Sequence, residues 1–164
     1  PQGPQGAQGP AGTANVIYSN WVSFQGAPRD TLIDNSKLKC VNIATPKLTQ
    51  ALVDNAAVLV YMRFNTTVWP LPYTGYAGLK ASTVSFLPLP GNIIITRFTH
   101  DNSGSVGFSS VLQFRYILIP GGVASGRYAA DAEKHFTVNN ETYTTSQLKA
   151  MPYNQVMALL NIAE

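Results

Sequence analysis

The chain has 164 residues, enough for one ordinary domain and little more. Hydrophobic residues make up 45% and charged residues only 12%, about half the usual share, which excludes an intrinsically disordered chain. The net charge of +3 comes from 11 basic and 8 acidic residues without a basic run, so a nucleic-acid partner is not expected.

Residues 1–12 read Pro-Gln-Gly, Pro-Gln-Gly, Ala-Gln-Gly, Pro-Ala-Gly, with glycine at Gly3, Gly6, Gly9 and Gly12. Glycine at every third position is the steric requirement of the collagen triple helix, because only a hydrogen fits at the crowded axis. A flexible Gly/Pro linker is the competing reading, but a linker has no reason to keep the period. At about 3.1 Å per residue such a segment spans only roughly 37 Å, too short to hold three chains in register unaided. The downstream domain is the natural clamp. The chain starts at Pro1, inside the repeat and without an initiator Met, so it reads as a fragment or processed piece, with export signal and anchor absent.

After Gly12 the texture changes to strands, giving a stalk over residues 1–12 and a globular β-rich domain over residues 13–164. Asn15–Phe24 alternates around Trp21 and reads as a strand. Gln25–Ser36, with Gly26 and Pro28, reads as a loop or short hairpin, and Leu38–Ile43 as a second strand. Cys40 within it excludes an intrachain disulfide, since it is the only cysteine, and reads as a small buried hydrophobe. Thr45-Pro46 looks like an N-cap followed by the first helical position, opening a helix with Leu48, Leu52 and Val53 as its apolar stripe. Ala57–Phe64 is a strongly apolar strand. Thr67–Tyr73 is extended but confined to an edge or bend by Pro70 and Pro72. Thr83–Leu87, Asn92–Thr99 and Val111–Ile119 complete the strands, with turn chemistry at Asp101–Gly104, and Tyr153–Leu160 reads as a second helix. No apolar stretch approaches the ~20 residues of a transmembrane helix.

A sheet with one wet side alternates cleanly between apolar and polar. These strands are apolar on both faces over much of their length. Opposite Val58, Val60, Met62 and Phe64 stand Leu59, Tyr61 and Arg63. Opposite Ile94, Thr96 and Phe98 stand Ile93, Ile95 and Arg97, and opposite Leu112, Phe114, Tyr116 and Leu118 stand Arg115, Ile117 and Ile119. Something must cover the second face: another sheet, a helix or a neighbouring subunit. Those nine residues are therefore the candidate subunit interface, and the three arginines would cluster if their strands are adjacent.

Chemistry is poorly signalled. His100 and Asp101 adjoin several serines, but no nucleophile elbow accompanies them. His100, His135 and Cys40 make no zinc spacing, and the Asp101–Gly104 turn is missing the terminal Glu of an EF-hand loop. Gly121-Gly122 and Gly126 match no phosphate-binding pattern. No enzyme activity, metal or cofactor is expected. The exposed aromatics Trp69, Tyr73 and Tyr76, in a Pro/Gly-rich stretch, are the candidate ligand-binding residues because they could stack on a sugar.

Gly9–Ser19, Thr45–Gln50, Val58–Arg63, Phe114–Tyr116 through Pro120–Gly122, and Tyr153–Ile162 together resemble a family of collagen-like surface proteins of Bacteroidota. The resemblance runs through residues 9–164 and implies an exported, extracellular or cell-surface chain with a short Gly-x-y stalk and a C-terminal domain without assigned activity. The expected fold is mainly β, a β-sandwich or jelly-roll-like domain with two short helices. The expected function is structural: a homotrimer whose domain registers and nucleates the triple helix. Two alternatives stand beside it: an adhesin head binding a glycan or another surface protein, and a subunit of an extracellular filament.

Overall fold

The computed structural model describes residues 15–121 and 134–163. The repeat of residues 1–12, and with it Gly3, Gly6, Gly9 and Gly12, lies outside the described residues, as do Gly122 and Gly126.

The chain is mainly β with three short helices. One sheet, called A, runs in the order β1 (Ile17–Tyr18), β10 (Gln113–Ile119), β5 (Ala57–Phe64), β6 (Thr67–Pro70), with β2 (Val22–Ser23) also pairing β10. The other, called B, runs β3 (Gln25–Ile33), β4 (Ser36–Thr45), β9 (Gly91–Thr99), β8 (Lys80–Leu89), β7 (Tyr73–Ala77). Every pairing is antiparallel. Five two-residue turns make this possible, and four carry residues that tolerate positive φ cheaply: Asp34-Asn35, Asn65-Thr66, Pro90-Gly91 and Asn139-Asn140. The fifth, Gly78-Leu79, places a leucine at φ 61°.

Val41, Ile43, Val84, Ile93 and Ile95 of sheet B pack against Val58, Val60, Met62, Phe114 and Leu118 of sheet A, forming the interior of a sandwich. The helix α1 (Gln50–Asn55) plugs one end with Leu48, Leu52 and Val53. Its start differs from the sequence expectation. Thr45 is fully buried as the last residue of β4, its hydroxyl donating to Ile43 O, and the N-cap is Thr49, whose Oγ1 accepts from Leu52 N. The expected first strand is likewise cut in two at Ser19, whose N–H donates to Tyr116 O and whose Oγ accepts from Tyr116 N.

The second face of sheet A is covered by the chain's own C-terminal part. A hairpin of β11 (His135–Val138) and β12 (Glu141–Thr144) leads into α2 (Thr145–Ala150) and α3 (Tyr153–Leu159). Phe136, Val138, Leu148, Val156, Met157 and Ile162 bury Ala57, Leu59, Tyr61, Ile117 and Ile119. The helix α2 was not anticipated, although Thr144 and Gln147 form a reciprocal capping box at its start. Where Gly121 leaves β10 it passes so close to α1 that a Cβ would lie 2.2 Å from Asn55 O.

Arg115 locks these layers together. Its Nε donates to Ser19 O (2.9 Å), Nη1 to Tyr153 Oη (2.7 Å) and Nη2 to Ala163 O (2.9 Å). Arg115→Met leaves those three acceptors without a donor and is expected to cost roughly 3 kcal/mol, read as a lower urea midpoint. Beside it, burial and secondarily the neighbouring Tyr153 push the Tyr61 phenol well above its ordinary range. A raised native pKa means this contribution is intact below about pH 10, where the unfolded phenol starts to ionise, and is lost as pH rises beyond it. Urea midpoints measured at pH 8 and pH 11 should therefore converge in Tyr61→Phe relative to the parent chain.

Candidate functional site

A cleft of about 510 Å³ opens at the end of the sandwich opposite α1, between the β5–β6 hairpin, the β7–β8 hairpin and the loop 100–112. Register explains its composition. Met62 pairs with Trp69 and Tyr73 with Val84, which pairs in turn with Arg97, so all of these side chains point into the sandwich. A cis Leu71–Pro72 bond lies where the chain crosses from sheet A to sheet B, between Trp69 and Tyr73. The two rings come to 5.2 Å between centroids at 39°. Tyr73 folds along its own strand over Gly75, where a Cβ would lie 2.6 Å from the Tyr73 hydroxyl. Tyr76, 83% exposed, stands at the rim. The three aromatics singled out from sequence thus do meet at one cleft, Trp69 and Tyr73 as its wall.

The far wall is the loop 100–112, and its position is fixed by polar contacts. Asp101 accepts from Lys80 Nζ (2.5 Å), Ser103 N (3.0 Å) and Ser103 Oγ (2.7 Å). Lys80 first, then Ser103, hold the Asp101 carboxyl well below the usual carboxylate range. Asn102 accepts from Lys37 N (2.8 Å) and donates to Asn35 O (3.0 Å), tying the loop to the β3–β4 turn. His100 makes a hydrogen bond to Thr83 Oγ1 at 2.9 Å on the opposite side of sheet B, away from the cleft. Among the described residues no group of three His, Cys, Asp or Glu side chains could hold a metal ion.

The floor holds a residue that sequence placed elsewhere. Arg97 is 7% exposed, its Nη1 donates to Gly107 O (2.6 Å) and its guanidinium lies over the Phe108 ring at 5.0 Å. Its Nε–H has no partner, and among the described residues no carboxylate pairs with it. Burial alone lowers its pKa. An arginine interrupting the apolar run Ile93–Ile95 was the available signal, but the sequence does not reveal which gap it faces.

The nine candidate interface residues need correction on this geometry. Leu59, Tyr61, Arg115, Ile117 and Ile119 lie beneath the C-terminal layer, while Ile93, Ile95 and Arg97 point into the sandwich interior. They belong to two different gaps, and the chain itself fills both. Arg63, half-buried on the outer face of sheet A, bonds Gln113 and stacks on Trp21 at 4.4 Å. The three arginines therefore do not cluster: Arg63 and Arg115 share a face that Arg97 does not reach. Cys40 is 2% exposed, and burial raises its thiol pKa.

Comparison with known proteins finds no matching family model, no matching curated protein and no matching solved structure.

Gly75→Ala tests the cleft wall directly. The added Cβ displaces the Tyr73 ring at a cost on the order of 1 kcal/mol, because the ring can swing toward open space. The near-ultraviolet circular dichroism of the Trp69–Tyr73 pair should change while the far-ultraviolet spectrum stays as it is.

Proposed function

We propose that the chain is a structural, extracellular or cell-surface protein that works as a homotrimer, its β-rich domain registering a collagen-like triple helix formed by residues 1–12. The observation that carries this reading is the unbroken period Gly3, Gly6, Gly9, Gly12, which has a steric purpose only when three chains share an axis. The resemblance to the collagen-like surface proteins of Bacteroidota agrees with it.

Since the expected contact residues are buried within one chain, copies have to meet across a different surface. The outer face of sheet B is the best supported. By register it presents Leu38, Phe98 and Thr83 in one row, Cys40, Thr96 and Ser85 in the next, and Asn42, Ile94 and Leu87 in the third. None of Leu38, Ile94, Phe98 or Leu87 belongs to either core, and Leu87, Leu89 and Ile33 are 45%, 45% and 46% exposed. Arg29, paired with Cys40, is its one Lys or Arg, and no carboxylate shares it. Apart from Arg29 on the strand β3, this face gives an identical neighbour no charge to repel.

Sedimentation equilibrium of the full chain at micromolar concentration should give three times the 17.7 kDa chain mass. Ile94→Lys puts a charge in the middle of the face and should yield a folded monomer. Gly6→Ala should lower the melting of the collagen-type circular dichroism signal without moving the melting of the β domain. A monomeric parent chain overturns the proposal.

A further inference from the structure

We propose that the Trp69–Tyr73–Arg97 cleft binds an acidic sugar, a pyranose ring carrying a carboxylate. The argument begins with a contrast between two buried arginines. Arg115 has Nε, Nη1 and Nη2 all engaged with protein acceptors. Arg97, equally without a carboxylate, has one bond to Gly107 O and an Nε–H with none. A buried guanidinium is costly unless paired, and buried polar groups without partners are rare in folded proteins. Here the under-used cation lines an open cleft rather than a sealed core. An anion entering the cleft would meet, at its lining, a guanidinium whose one hydrogen bond among the described residues is that of Nη1.

The rest of the lining narrows the class. Among the described residues Arg97 is the single charged one lining the cleft, which suits one carboxylate rather than a doubly charged phosphate. Trp69 and Tyr73, in contact with each other at 5.2 Å and tilted by 39°, give the cleft an aromatic wall against which the C–H face of a sugar can stack. Ser82 and Ser109 add hydroxyls for the ring oxygens and hydroxyls of the sugar. The volume of about 510 Å³ lies in the ordinary range for small-ligand sites and admits one or two pyranose rings. The cleft is separate from the outer face of sheet B, so binding does not depend on how copies assemble.

Isothermal titration of the full chain with three probes tests this. Methyl β-glucuronide carries sugar ring and carboxylate, methyl β-glucoside the sugar ring alone, and benzoate a carboxylate on a flat aromatic ring. The glucuronide should bind, and the other two at least about tenfold more weakly, as expected for loss of a charge-assisted bidentate contact or of the stacked ring. Arg97→Met should erase the preference for glucuronide over glucoside. Should that variant fail to fold, Trp69→Leu, at a half-buried position, should keep the far-ultraviolet spectrum and lose the glucuronide. The proposal is overturned by no glucuronide binding at millimolar concentration, by equal binding of glucuronide and glucoside, or by benzoate binding as tightly as the sugar acid.

Discussion

The fold depends on one buried cation. Arg115 sits on the central strand of sheet A, 3% exposed, and bonds to three separate parts of the chain. Ser19 belongs to the segment entering the domain, Tyr153 opens α3, and Ala163 is almost the last residue. A guanidinium offers its donors in a rigid planar fork, so satisfying three of its nitrogens at once fixes directions as well as distances. The segment before β2, the C-terminal helices and the strand between them are thereby held in one arrangement. Tyr61, packed edge-on against Tyr153 at 4.9 Å, and Trp21, 5.8 Å from the same ring, extend that arrangement as an aromatic layer.

That layer changes the meaning of the two-faced strands. An apolar second face on β5 and β10 is compatible with a subunit interface or an internal cover, and alternation alone cannot choose between them. The choice is made by residues 135–163, which are remote in sequence from β5. Phe136 and Leu148 are 1% and 0% exposed because they lie on Ala57, Leu59 and Ile119, not because of anything local. Non-local packing of this kind leaves no trace in periodicity.

Several strands were legible, but not all: Gln25–Ser36, read as a loop or short hairpin, is the nine-residue strand β3 and its turn, and β7, β11 and β12 went unread. Ala57–Phe64 was bounded by sequence as the structure bounds it, and Asn92–Thr99 to within one residue, because long apolar runs between turn residues leave little alternative. Prolines confined Thr67–Tyr73 to an edge or bend, and the structure divides that stretch between β6 at the edge of sheet A and Tyr73, which opens β7 at the edge of sheet B. What escaped reading was punctuation. Asp34-Asn35 and Asn139-Asn140 carry the turn residues of tight hairpins, and the Thr144–Gln147 spacing marks a helix start, yet β3 is mostly polar and exposed along its nine residues and β11 and β12 have four residues each, so none of them raises a period. At Thr45-Pro46 two signals competed. Burial of Thr45 in β4 won over its capping preference, and the helix began one turn later at Thr49. In the cleft, Trp69 and Tyr73, read from sequence as exposed aromatics, are half-buried and pack against the core, and only Tyr76 of the three is exposed. Arg97 was not read as part of the cleft, since its role follows from the register Tyr73–Val84–Arg97 across three strands.

Low charge is the sequence property that connects the remaining surfaces. A chain with 12% charged residues that also buries Arg97 and Arg115 has fewer still to spend on its exterior. They are not spread evenly. Lys39 pairs with Asp30 and Lys80 with Asp101 at hairpins flanking the sandwich, whereas the outer face of sheet B carries Leu, Ile, Phe, Thr and Ser. Exposed β surfaces usually bear charges that discourage strand and sheet association. Leaving all but Arg29 off the broadest sheet face is the opposite of that pattern.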